Sequence, residues 1–123
     1  MTLKYYEKEN QMFEAVGFDK DLRVTEKDAL KIIRKLCRHF KFAEPEVVFY
    51  GQRDSGAMFY DTCVIRLNHQ PKISLLIHEL CHFWQVRLGI CRRWHTKKLI
   101  RLVKRMAKYV MKKNYWIGGV RRQ

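Results

Sequence analysis

The sequence predicts a single α+β domain: a helix, a small three-stranded sheet, a helix built around His78-Glu79-Leu80-Cys81-His82, and a long basic helix toward the C-terminal end. Three observations predict it. Apolar residues recur at helical spacing on either side of residues 45–71. Between them lie short β-branched and aromatic runs separated by turn residues. The 123 residues suit one compact domain, and a hydrophobic content of 47% is enough to build its core.

Residues 1–24 read as an N-terminal segment, weakly helical over 2–16 with Leu3, Tyr6, Phe13 and Val16 on its apolar side and Gly17 at its end. Thr25 followed by Asp28 is a capping-box-like start. Ala29, Ile32, Ile33, Leu36, Cys37 and Phe40 then give a helix of about 25–42, with Lys27, Lys31, Arg34, Lys35 and Arg38 on its solvated face. Pro45 breaks the pattern, and 46–50, 57–60 and 62–67 read as three strands, with Asp61 at or near a turn. Asn68 to Pro71 ends the sheet. Ile73, Leu76, Ile77, Leu80, Cys81, Trp84 and Leu88 form the core face of the next helix, which Gly89 stops. A basic loop over 90–94 leads to a last helix near 96–113. Its stripe of Leu99, Val103, Met106 and Val110 opposes one of Lys97, Arg101, Lys104, Arg105, Lys108 and Lys112. Residues 114–123 form a basic aromatic tail.

Charge divides the chain. Residues 1–79 hold 13 Lys and Arg against all 12 acids, whereas residues 80–123 hold 13 cations and no acid. A one-signed block of this size implies a polyanionic neighbour such as DNA, RNA or a membrane surface. No apolar run approaches a membrane span, and the charged first ten residues are unlike a signal peptide. The four cysteines (37, 63, 81 and 91) contain no CxxC pair, which excludes a separate zinc ribbon. Reduced, buried thiols in an intracellular protein, cytoplasmic or associated with nucleic acid, are the expectation.

Glu79 is the sole carboxylate beyond residue 61, and it sits inside an HExxH pentad. That spacing puts His78 and His82 on one helix face, where both imidazoles reach one zinc ion, and leaves the glutamate beside them as a base for the metal-bound water. Catalytic zinc uses three protein ligands and an open fourth position. No acid follows Glu79 to supply the third, and Gln85 and Leu88 stand where a short HExxHxxGxxH pattern needs glycine and histidine. His95, thirteen residues past His82 and four before Leu99, is the best third ligand; Cys91, Asp61 and His69 are weaker substitutes.

These residues, together with Ile65-Arg66-Leu67-Asn68, Leu76-Ile77 and the stretch from His95 to Met106, resemble the SprT-like zinc metallopeptidases, a family that includes the DNA-dependent protease Spartan. The resemblance covers roughly residues 25–113 and implies a zincin-like domain. His78, Glu79 and His82 match the family's HExxH, and His95 matches its later histidine. Thr96 and Leu99 stand where the family usually has glycine and phenylalanine.

Three neutral imidazoles on zinc lower the pKa of its bound water from about 16 toward 7. The expected function is thus a zinc-dependent metalloendopeptidase that hydrolyses peptide bonds of a polypeptide substrate near, or bound to, DNA or another nucleic acid. Glu79 is its general base. Tyr60, His69, Tyr109 and Tyr115 are candidates for stabilising the oxyanion. Arg92, Arg93, Lys97, Lys98, Arg101, Lys104, Arg105, Lys108 and Lys112 are the expected phosphate contacts, with Trp94, Tyr109, Tyr115 and Trp116 available to stack on bases. The alternative is a nucleic-acid-binding module whose zinc site is structural or catalytically silent.

Overall fold

The computed structural model describes residues 2–51, 56–59, 64–88 and 97–113. Over these residues the chain is a small α+β domain of four helices and a three-stranded sheet: α1 (Thr2–Val16), α2 (Glu26–Phe40), β1 (Glu46–Phe49), β2 (Gly56–Phe59), β3 (Val64–Leu67), α3 (Ile73–Leu88) and α4 (Lys97–Lys113). Every helix and strand expected from the sequence is present.

Local chemistry sets the helix ends. The Asp28 N–H donates to Thr25 Oγ1 at 3.1 Å, so the threonine caps α2 and satisfies one of its orphan amides. At the other end Lys41 turns into the left-handed region (φ 60°). Its N–H and that of Phe42 then close onto the carbonyls of Arg38 and Cys37. The start of α3 is held by residues 20–24. The Ile73 N–H donates to the Leu22 carbonyl at 2.8 Å, the Ser74 hydroxyl to the Lys20 carbonyl at 2.6 Å, and the Val24 N–H to the Pro71 carbonyl at 3.1 Å.

The sheet order is β1-β3-β2, with β1 parallel and β2 antiparallel to the central β3. Ile65 and Leu67 of β3 are fully buried, whereas β1 at the edge alternates exposed Glu46 and Val48 with half-buried Val47 and Phe49. Helix α3 packs against the sheet, α2 and α4. From Leu76 to Gln85 every one of its residues is buried, so that stretch has no solvent face. Such a helix belongs at the centre of a domain. Phe40 and Phe42 meet Trp84, and Cys81 lies 3.6 Å from the Met106 sulfur.

Helix α1 packs on α4, and its Tyr5, Met12 and Phe13 join the same core as α2, α3 and α4. The core does not divide at residue 24. The apolar face of α1 differs in phase from its sequence reading: Tyr5 is buried and Tyr6 is 39% exposed. Tyr5, Glu9, Met12 and Phe13 occupy the inward positions, so a carboxylate stands in the middle of the buried stripe. Mixed polarity along α1 hides this phase from a count of apolar residues.

Candidate metal centre

The pentad lies on the central helix, and its three polar side chains are buried: His78, Glu79 and His82 are each under a tenth exposed. One helical turn brings the two imidazoles into an edge-to-face pair with centroids 4.6 Å apart. Their Nε2 atoms face each other at 3.0 Å.

The outer nitrogen of each ring decides what those inner atoms are. His78 Nδ1 lies 2.8 Å from the Glu9 carboxylate, and a carboxylate accepts, so Nδ1 carries the proton and donates. His82 Nδ1 lies 3.1 Å from Gln85 Oε1, one turn along the same helix, and donates in the same sense. With Nδ1 the donor on each ring, Nε2 is the accepting nitrogen of each, and the two face one another. Two accepting nitrogens repel unless a proton or a cation sits between them. Two ligands at a tetrahedral angle with Zn–N of about 2.05 Å would stand about 3.3 Å apart, so the pair needs to open by only about 0.3 Å to fit zinc.

The surroundings are anionic. Glu9 is 5% and Glu79 7% exposed, and both flank His78. Burial pushes the Glu79 carboxyl above its usual range. The His78 ring and Arg66 pull it down, and Glu9 pushes it up again. Arg66 comes from β3, and its Nε is buried with no hydrogen-bond partner among the described residues. Tyr5 and Tyr6 lie against the His78 ring at centroid distances of 6.0 and 5.4 Å. Burial, then the Glu79 and Glu9 charges, raise the Tyr6 phenol. Burial and Glu9 do the same for Tyr5, so both remain hydroxyl donors in neutral solution.

No family model, curated protein or solved structure compared with this chain matches it.

The structure brings together His78, Glu79 and His82 among the expected site residues. His95, Cys91 and Asp61 lie outside the described residues, as do Tyr60, Tyr115, Trp94, Trp116, Arg92 and Arg93. Among the described residues no group of three His, Cys, Asp or Glu side chains is arranged to hold a metal ion. His69 is drawn to Glu26 at the start of α2, 2.7 Å away, and Tyr109 stacks on His39 with centroids 3.8 Å apart. Glu9, Tyr5 and Tyr6 are the site residues that sequence reasoning missed. The available signal was a glutamate spaced four residues from both Tyr5 and Phe13, a carboxylate on an otherwise apolar face.

The expected basic stripe is exposed along α4: Lys97, Lys98, Arg101, Lys104, Arg105, Lys108 and Lys112 all face solvent. Leu99, Val103, Met106 and Val110 are fully buried on the other side. Arg105 also covers the Phe40 ring at 5.3 Å from its centroid. Lys104, Lys108 and Lys112 border a shallow groove floored by Ala15, Val16 and Met111. No helix among the described residues is long and apolar enough to cross a membrane.

Proposed function

We propose that this chain is a zinc-dependent endopeptidase of the HExxH type, with His78, His82 and His95 as metal ligands and Glu79 as general base. One observation carries the reading: two buried imidazoles, each with its outer nitrogen engaged by an acceptor, turn their Nε2 atoms toward each other at 3.0 Å. Two buried carboxylates beside them supply the negative surroundings a divalent cation needs. A structural zinc site has no use for a neighbouring base, and Glu79 is one.

When bound, the ion supplies a Lewis acid and a water of lowered pKa. The residues of the chain do the rest. His78 and His82 present their nitrogens in a fixed tautomer. Glu79, one position along the helix from His78, takes a proton from the attacking water and returns it to the departing amine. Burial of His78, Glu79 and His82 strengthens the electrostatic interactions among them.

The exposed α4 stripe directs this activity toward polypeptides close to DNA or another nucleic acid, since the helix carries eight cations and no acid. That same stripe favours the second reading, a nucleic-acid-binding module whose zinc site is structural or silent.

The test is metal content combined with proteolysis. Purified protein is expected to hold about one zinc per chain, lost in His78→Ala and His82→Ala. It is expected to cleave an unstructured polypeptide, with Glu79→Gln slowing cleavage by about 10²- to 10⁴-fold while keeping the metal. Cleavage undiminished in Glu79→Gln overturns the mechanism. Salt-sensitive nucleic-acid binding with no proteolysis establishes the second reading instead.

A further inference from the structure

We infer that Glu9 is a positioning residue for His78, so that helix α1 and metal binding are energetically coupled. The inference rests on the zinc reading and adds to it an element that lies outside the pentad helix.

Glu9 occupies an inward position of α1, between Tyr5 and Phe13 one turn to either side, and is 5% exposed. A carboxylate there is unfavourable compared with an apolar side chain of similar size unless it is fully engaged. It is engaged on one atom. Glu9 Oε2 accepts from the Tyr5 hydroxyl at 2.7 Å and from His78 Nδ1 at 2.8 Å. Tyr5 lies one turn before Glu9 on the same helix, so its hydroxyl fixes the carboxylate before any contact with α3. The second bond does three things to His78. It holds the proton on Nδ1, it sets the ring plane, and it makes Nε2 a stronger electron donor toward a cation.

The two imidazoles differ in this respect. His82 is oriented by a neutral amide of its own helix, Gln85, whereas His78 depends on a charged group from a different element. The second arrangement ties metal affinity to the docking of α1. By linkage the coupling runs both ways: undocking α1 weakens the metal, and the metal tightens α1.

The experiment measures zinc affinity by competition with a chelator in the full chain, in folded variants verified by circular dichroism. Glu9→Gln keeps the shape and removes the charge, and it is expected to weaken zinc 10- to 100-fold. Tyr5→Phe removes one donor to the same oxygen and is expected to weaken it several-fold. Glu7→Gln, an exposed acid on the same helix, is expected to change nothing. In cobalt-substituted protein the visible bands shift in Glu9→Gln and not in Glu7→Gln, a signature that a merely structural role does not produce. Amide exchange in α1 slows when zinc is added to the unmodified chain and does so less in Glu9→Gln.

Zinc affinity within twofold of the original in Glu9→Gln, with one zinc still lost in His78→Ala, overturns the role of Glu9 and leaves the metal site standing. If Glu9→Gln does not fold, Tyr5→Phe decides: weaker zinc supports the coupling and unchanged zinc overturns it. Zinc binding that survives His78→Ala overturns both this inference and the reading beneath it.

Discussion

Glu9 and His78 are 69 positions apart in the chain and 2.8 Å apart in the fold. The contact joins the first helix to the central one through a buried charge-assisted hydrogen bond. It accounts for the inward placement of a carboxylate on an apolar helix face. It also places a residue of helix α1 against the HExxH pentad.

Removing the metal in the zinc reading is expected to lower stability, because the facing imidazoles of His78 and His82 and the Glu9 and Glu79 carboxyl groups then remain together in the interior without the ion. Free zinc at 100 times its Kd stabilises the fold by about 2.7 kcal/mol. A thermal melt with and without chelator reads the difference. Superimposable curves would count against a bound ion.

The α4 stripe predicts salt-dependent binding. Lys104, Lys108 and Lys112 recur every fourth residue, roughly 6 Å apart along the helix axis, and all three are exposed. Replacing them by glutamine is expected to weaken duplex DNA binding at low salt. It should also reduce the slope of log affinity against log salt by about 0.9 for each phosphate contact removed. An unchanged slope would place the nucleic-acid surface elsewhere.

Cys37 predicts a pH effect of definite sign. Burial, reinforced by the Glu44 charge, pushes its thiol up to about 12 from a reference of 9.0. The folded protein thus favours the neutral thiol. The stability this contributes is complete below pH 9 and is lost as pH rises toward 12, because the unfolded chain ionises first. Pulse alkylation at pH 8.5 followed by mass spectrometry should leave Cys37 unmodified in the native chain and label it in urea. Rapid native labelling would contradict the burial.

Lys41 predicts a stabilising substitution. It ends α2 with φ at 60°, a conformation that glycine adopts without strain, and its side chain is exposed. Lys41→Gly is expected to raise stability by about 0.5–1 kcal/mol in urea denaturation, after the extra freedom of glycine in the unfolded chain is offset. A loss of stability would show that the lysine side chain contributes a contact of its own.

Much of this was legible in the sequence, for local reasons. Thr25 and Asp28 marked the start of α2, and the period of Ala29 to Phe40 marked its face. The HExxH spacing alone determined that His78 and His82 share a helix face. The strand order β1-β3-β2 was not legible, because pairing depends on which strand the surrounding helices bury, and all three runs are short. Glu9 was hidden for a related reason. Its partners are Tyr5, whose inward phase the mixed polarity of α1 obscures, and His78, reached only through tertiary packing.

The enclosure of α3 has one more consequence. Between Leu76 and Gln85 this helix is buried on every side and carries its polar cluster among the same atoms that hold the domain together. Site and architecture here cannot be tuned apart: a change that reshapes the His78–Glu79–His82 cluster also repacks the interior, and heat that loosens the interior dismantles the cluster in the same step.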